Sequence, residues 1–175
     1  MRVSTWLWSL LEREFRQSPG DFAQKFAGTW LIWEPGAWRP ARTTRDRNRL
    51  TTLNLATPEA VEYPPRPAGT DAFCFQLELS GDEEVVVGRA STCDVLINEL
   101  TMSRAHLRVR ADSVCVDPTC RQPTTIGDEE MATGVWRPLR DGLAITTGAL
   151  RLTWHDGEGL RRRLAQVTGA SRLTG

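Results

Sequence analysis

Apolar and polar residues alternate in short runs through the second half of the chain. The first of these runs places Phe73, Phe75, Leu77 and Leu79 at every second position. Turns containing glycine or aspartate separate the runs at intervals of about 8–12 residues, which is typical of a β-sandwich or barrel. The predicted strands cover residues 73–79, 84–87, 94–97, 106–110, 114–116, 143–145 and 150–154.

The first 38 residues follow a different pattern. Residues 4–16 carry apolar side chains at helical spacing, which predicts an amphipathic helix. Ser18 followed by Pro19 predicts the start of a second helix that ends at Gly28. Residues 29–33 then predict a short aromatic strand. A unit this small does not stabilise itself, so we expect it to dock on the following domain, or else to bind a partner protein.

At the other end of the chain, residues 157–168 place Leu160, Leu164 and Val167 on one helical face. The arginines at positions 161–163 lie mostly off that face and are predicted to be solvated. The predicted organisation is therefore an N-terminal helix–helix–strand extension over residues 1–38, an Arg/Thr/Pro-rich linker over 39–70, a β domain over 71–155, and a C-terminal helix and tail over 156–175.

Composition narrows the possible partners. Lys and Arg total 22, as do Asp and Glu, so the chain of 175 residues has no net charge to attract nucleic acid or an anionic membrane. The sequence shows no secretory leader, and no apolar run is long enough to cross a bilayer. We predict a cytoplasmic protein with its 4 cysteines reduced, and with neither a metal nor a cofactor.

Four segments of the β region form an ordered set of motifs. The first is Gly88-Arg89 with the following residues 91–97, and the second is Ser103-Arg104-Ala105-His106. The third is Asp117, at the end of a predicted strand, and the fourth is the segment 139–148 with its central Asp-Gly turn. In this order and spacing the segments resemble the forkhead-associated (FHA) domains, in the form found in bacterial proteins. The resemblance implies an FHA-type β-sandwich that binds phosphothreonine.

The residue types in these motifs suit a phosphate group. A phosphothreonine has about −1.5 to −2 charge and three acceptor oxygens. Arg89 offers a bidentate guanidinium, Ser103 a hydroxyl, and Arg104 a second positive charge. Gly88 lets the chain turn before Arg89. By resemblance, His106 supports the binding loop from behind and does not contact the phosphate.

One loop departs from the family pattern. Family members usually have an Asn-Gly pair after the strand that ends near Asp117, whereas this chain has Gln122-Pro123 followed by Thr124. Glutamine keeps an amide, but proline removes a backbone donor. We assign Gln122 and Thr124 to peptide contact, and we expect the loop to have a changed shape.

These observations predict a phosphothreonine-binding signalling adaptor that acts with Ser/Thr kinases or as a secretion-system regulator. The alternative is a degenerate FHA scaffold that binds proteins without phosphate. An enzyme is not expected, because no P-loop, kinase signature or metal-ligand set is present. Ser103, His106 and Asp94 could suggest a catalytic triad, but no nucleophile elbow or oxyanion loop accompanies them.

Overall fold

The computed structural model describes residues 2–35 and 71–169. The predicted linker over 39–70 therefore lies outside the described residues. Twelve strands are present in the described part: β1 Arg2–Leu7, β2 Thr29–Glu34, β3 Phe73–Glu78, β4 Val85–Gly88, β5 Val95–Leu96, β6 Leu107–Val109, β7 Ser113–Val116, β8 Thr124–Ile126, β9 Glu129–Glu130, β10 Arg137–Pro138, β11 Ala144–Thr147 and β12 Leu150–Asp156. The helices are α1 Trp8–Gln17, α2 Phe22–Lys25 and α3 Gly157–Thr168.

The strands form two sheets that pack face to face. The larger sheet has seven strands in the order β1-β3-β2-β12-β11-β8-β9, and the smaller has five in the order β10-β7-β6-β4-β5. The core between them is apolar, with Leu31 and Phe75 from the larger sheet facing Val87 and Leu107 from the smaller. The predicted mainly β fold class, with an N-terminal extension and a C-terminal helix, is confirmed.

A second core lies on the opposite face of the larger sheet. There α1, α2 and α3 pack on Trp30 and Ile32 of β2, while Leu31 between them faces the sandwich core. Because β2 is buried on both faces, its sequence is a continuous apolar run with no alternation. The extension therefore docks on the β domain, as expected, and it does so as a central strand.

The structure corrects the N-terminal helix prediction. Residues 4–7 belong to β1, which pairs with β3 along its whole length, from Arg2 opposite Glu78 to Leu7 opposite Phe73. Helix α1 begins only at Trp8. The tryptophan and leucine residues of this segment are at helical spacing, but both residue types also fit a half-buried strand at a sheet edge. The spacing therefore predicted a helix where the structure has a strand. Ser18 follows the end of α1, and α2 begins three residues later than predicted, at Phe22.

The sheet order also bears on the predicted domain boundaries. Strand β2 lies between β3 and β12, pairing with Phe75 on one side and Trp154 on the other through Leu31. A boundary before residue 71 therefore divides one continuous sheet. No helix within the described ranges is long and apolar enough to span a membrane.

Arg163 is a further correction. It was predicted to be solvated with Arg161 and Arg162, but it is only 4% exposed. Its guanidinium forms an ion pair with buried Glu34 at 2.8 Å and lies over the ring of Trp8. The other two arginines of the segment pair with Glu158 and Asp141 at the surface. Helix α3 is thus attached to β2 by a buried charge pair.

Candidate functional site

The site begins where β4 ends, at Gly88. A side chain here would place its Cβ 2.1 Å from the backbone oxygen of Arg104, so only glycine fits. The close approach brings two loops together: Arg89 N–H donates to the Ser103 carbonyl at 3.0 Å, and Ala90 N–H donates to the Arg104 carbonyl at 3.1 Å. Gly88 is not among the glycines with a positive φ, so the structure requires glycine here for the close approach of the two loops and not for the turn that the sequence suggested.

His106 is fully buried behind these loops. Its Nδ1 accepts the backbone N–H of Ser103 at 3.0 Å, so its proton is on Nε2. Nε2 lies 2.8 Å from the Thr124 hydroxyl and donates to it, and that hydroxyl donates to the Gln122 carbonyl at 3.2 Å. One imidazole therefore connects the Ser103 loop to the loop before β8.

Asp117 organises the start of that second loop. Its Oδ1 accepts from the backbone N–H and the hydroxyl of Thr119, at 2.8 and 2.5 Å. Its Oδ2 accepts from Arg108 Nε at 2.8 Å. Burial raises the pKa of the Asp117 carboxyl, but the hydrogen bonds from Thr119 and Arg108 outweigh it and keep that pKa below its usual value. The carboxylate is therefore charged and fully engaged within the protein.

The structure brings most of the predicted site residues to one end of the sandwich. Arg89, Arg104 and Gln122 are exposed, and Ser103 is half-buried between the loops that carry them. Thr124 is placed differently: it is 1% exposed, and its hydroxyl is used by His106 and Gln122. The structure therefore gives Thr124 a contact with His106 in place of a surface position.

Sequence reasoning missed two neighbours of these residues. Cys120 is buried with its Sγ 3.2 Å from Ser103 Oγ, so it packs directly under the serine side chain. Arg108 lines a cleft together with Arg89 and Arg104. The alternation of β6 could have revealed Arg108, because it is the polar residue between two core positions, Leu107 and Val109.

We expect the stability of the fold to depend on the charge of His106. Burial lowers the pKa of His106 to about 4, from an ordinary value near 6.5, so the unfolded chain takes up a proton at a higher pH than the folded one does. The stability that the fold gains from keeping His106 neutral is present above pH 6.5 and is lost as the pH falls towards 4. It amounts to about 2–3 kcal/mol over this window.

Chemical denaturation between pH 7 and pH 4 checks this prediction, with His106→Gln as the reference. The stability advantage of the parent protein over the variant should shrink steadily as the solution is acidified. A constant advantage across the window would show that His106 does not titrate differently in the two states. His155 is present in both proteins, so its effect cancels.

Comparison with known proteins gives matches among solved structures. No protein-family model matches the chain, and no curated protein is significantly similar to it. The FHA domain of the CT664 protein from Chlamydia trachomatis is 12% identical, with a TM-score of 0.43, and the match covers 74% of this chain and 98% of the other. The FHA domain of an Arabidopsis thaliana hypothetical protein is 13% identical, with a TM-score of 0.44, covering 75% and 87%.

A third similar structure is the N-terminal FHA domain of Rad53p from S. cerevisiae in complex with a phosphothreonine peptide. It is 18% identical, with a TM-score of 0.38, and the match covers 46% of this chain and 73% of the other. These values describe a distant likeness. The family that the sequence motifs resemble, the FHA domains, is also the family of these three similar structures.

Proposed function

We propose that this chain is an FHA-type adaptor that captures phosphothreonine-containing proteins at the end of the sandwich formed by Arg89, Ser103 and Arg104. The observation that carries the proposal is the hydrogen-bonded chain from the Ser103 N–H through His106 to Thr124 and the Gln122 carbonyl. It fixes the position of Ser103 beside two exposed arginines, and a rigid, pre-positioned loop loses little entropy on binding.

The charges at this end of the sandwich support the same ligand. Within the described residues, neither Arg89 nor Arg104 forms an ion pair with a carboxylate, so both guanidiniums are available to a phosphate dianion. Two carboxylates of the loops between β4 and β6 accept backbone N–H groups: Asp94 from Val86 at 2.8 Å, and Glu99 from Thr101 at 3.3 Å. A phosphate entering between the arginines is therefore matched in charge.

The geometry favours binding over catalysis. His106 uses Nδ1 for the backbone N–H of Ser103 and directs Nε2 at Thr124, so its ring is not positioned to take the proton of the Ser103 hydroxyl. General-base activation of a serine requires that hydrogen bond. The triad considered from the sequence is thus not assembled, and we propose a binding module that acts with Ser/Thr kinases or in secretion-system regulation.

The exposed Gln122-Pro123 segment favours a second candidate, a scaffold that binds proteins without phosphate. Pro123 has no N–H to donate to a peptide backbone. Its carbonyl already accepts from the Thr147 hydroxyl at 3.2 Å. The Gln122 amide remains at the surface and can both donate and accept. Phosphate capture through the arginines does not depend on this segment, so a phosphopeptide titration separates the two candidates.

The direct test is Arg89→Ala, measured by calorimetric titration with a degenerate phosphothreonine peptide library and with a defined peptide selected from it. Loss of a charge-assisted contact should weaken binding by about 10–100-fold while the melting temperature is unchanged, because Arg89 is exposed. Arg13→Ala is the matched control, since Arg13 is an exposed arginine on α1, on the far side of the larger sheet.

Unphosphorylated and phosphoserine versions of the same peptide complete the titration. Equal affinity of the parent and Arg89→Ala proteins for the phosphothreonine peptide would contradict the assigned site. Equal affinity of the parent protein for the phosphorylated and unphosphorylated peptides would favour the phosphate-independent scaffold.

A further inference from the structure

A cleft lined by several arginines adjoins the proposed phosphothreonine site, on the outer face of the smaller sheet. It lies between the loop that follows β4 and strand β6, and it is lined by residues that include Arg89, Ser91, Thr92, Arg104 and Arg108. The lining residues thus include three arginines, a serine and a threonine around one open space. We propose that this cleft is a second anion subsite, which takes a carboxylate or phosphate carried by the same phosphothreonine peptide; this inference rests on the proposed function.

Strand register explains why Arg108 faces the cleft. Val86, Arg108 and Cys115 lie side by side on β4, β6 and β7. The two residues that flank Arg108 on β6, Leu107 and Val109, are buried in the core between the sheets. Because side chains alternate along a strand, Arg108 projects from the opposite, outer face, where its side chain is 42% exposed.

The guanidinium of Arg108 is held in position before any ligand arrives. Asp117 accepts from its Nε at 2.8 Å, and Glu84 lies 3.5 Å from its Nη1. Of its five N–H donors, those of Nη2 have no hydrogen-bond partner among the residues that the structure describes, so they can bind a ligand in the cleft. A side chain that is already fixed loses less conformational freedom on binding than a free surface arginine.

The carboxylates near the cleft do not cancel its attraction for an anion. Asp117 is the only carboxylate among the described lining residues, and its side chain is 2% exposed, with both oxygens engaged. Glu84 is shared with Arg110, whose Nε donates to it at 3.1 Å. Asp94 accepts the Val86 N–H at the border of the cleft. The lining residues therefore carry three guanidiniums, those of Arg89, Arg104 and Arg108, against the one carboxylate of Asp117.

Arg104 connects the two positions. It follows Ser103 directly in the chain, and it also lines the cleft with Arg108. A peptide whose phosphothreonine lies at Ser103 and Arg89 would pass Arg104 before it reaches Arg108. The ligand is therefore a phosphothreonine peptide with an acidic or second phosphorylated residue close by. Arg108 is the residue that binds this second anionic group.

The experiment compares peptides by fluorescence anisotropy. One set has a single phosphothreonine and neutral flanks; the others add glutamate or phosphoserine at each flanking position in turn. The parent protein should bind the best doubly anionic peptide about tenfold more tightly than the singly phosphorylated one. The glutamate and phosphoserine arms show which anion the cleft prefers.

Arg108→Gln should reduce that advantage to about twofold or less. The advantage is taken as the ratio of the two affinities measured on the same variant, so any effect of removing the Asp117 partner on the phosphothreonine site itself cancels. Arg110→Gln is the matched control, because Arg110 shares Glu84 but lies over Trp136 and does not line the cleft. It should keep the full advantage. A parallel NMR measurement on the parent protein follows the Nε–H resonance of Arg108, which should shift only with the doubly anionic peptide.

The outcomes separate the two proposals. If the singly phosphorylated peptide binds but no second anion improves its affinity, the cleft proposal is overturned and the phosphothreonine site stands. An advantage that survives in Arg108→Gln, or an Arg108 resonance that does not move, also overturns it. If no phosphothreonine peptide binds the parent protein at all, both proposals fall.

Discussion

Replacing Arg163 with alanine is expected to lower the free energy of unfolding by about 3–5 kcal/mol, the usual cost of removing one partner of a buried ion pair. Both oxygens of Glu34 accept from this guanidinium, at 2.8 and 3.1 Å, and Glu34 is 1% exposed. Without Arg163, the carboxylate stays buried with much less compensation. The variant also loses the stacking of the guanidinium on Trp8.

Arg162→Ala is the control for this measurement. Arg162 is the neighbouring residue on α3, and its side chain is 56% exposed while it pairs with Asp141. A surface pair of this kind contributes about 1 kcal/mol or less. Urea denaturation of the three proteins should therefore separate the two variants clearly. Equal stabilities for Arg162→Ala and Arg163→Ala would contradict the buried pair.

A double variant tests why removing Arg163 lowers the stability of the fold. Glu34→Met combined with Arg163→Met removes both charges and keeps apolar volume at the junction of β2, α1 and α3. It should be more stable than Arg163→Met alone, because no buried carboxylate that has lost its guanidinium partner remains in the core. If the double variant were the less stable of the two, the loss of stability would come from packing and not from the missing charge partner.

Gly88→Ala is expected to weaken phosphopeptide binding strongly and to destabilise the fold by at least about 2 kcal/mol. The added methyl group would lie 2.1 Å from the Arg104 carbonyl oxygen and 2.9 Å from its carbon. Both are backbone atoms, so the two loops must separate. That movement breaks the hydrogen bonds that place Arg89 against Ser103 and Arg104.

Gly20→Ala provides the matched comparison. Its added methyl group would meet nothing within 4 Å, and its backbone is not among the positive-φ glycines, so it should leave stability and affinity close to those of the parent protein. Thermal denaturation and peptide titration of both variants check the prediction. Retention of parental affinity in Gly88→Ala would mean that the close contact between the loops is not needed for binding.

Much of the fold could be predicted from the sequence because its signals are local. Strands β3 and β12 have clear alternation, and residues 157–168 have helical periodicity ending at a glycine, so these elements were found with close boundaries. The short strands β8, β9 and β10 were missed. They span only two or three residues each, which is too few for a period to be recognised.

Other features depend on residues that are distant in sequence. The burial of Arg163 follows from Glu34, which is 129 positions away, and no local pattern marks the pairing. The motif spacing placed Arg89 directly after β4 and His106 directly before β6, where the structure has them, while Ser103 lies within the loop between β5 and β6. The inward position of Thr124 and the contact of Cys120 with Ser103 depend on the shape of a loop, which a sequence without the usual Asn-Gly pair does not specify.

The central position of β2 has a consequence for how the protein forms during synthesis. Its aromatic segment is made more than a hundred residues before its partner β12 and before the ion-pair partner of Glu34. Until then, β2 can pair on one side only, with β3. The nascent chain therefore carries an apolar strand with an open edge until β12 has been made, the kind of segment that aggregates or recruits chaperones.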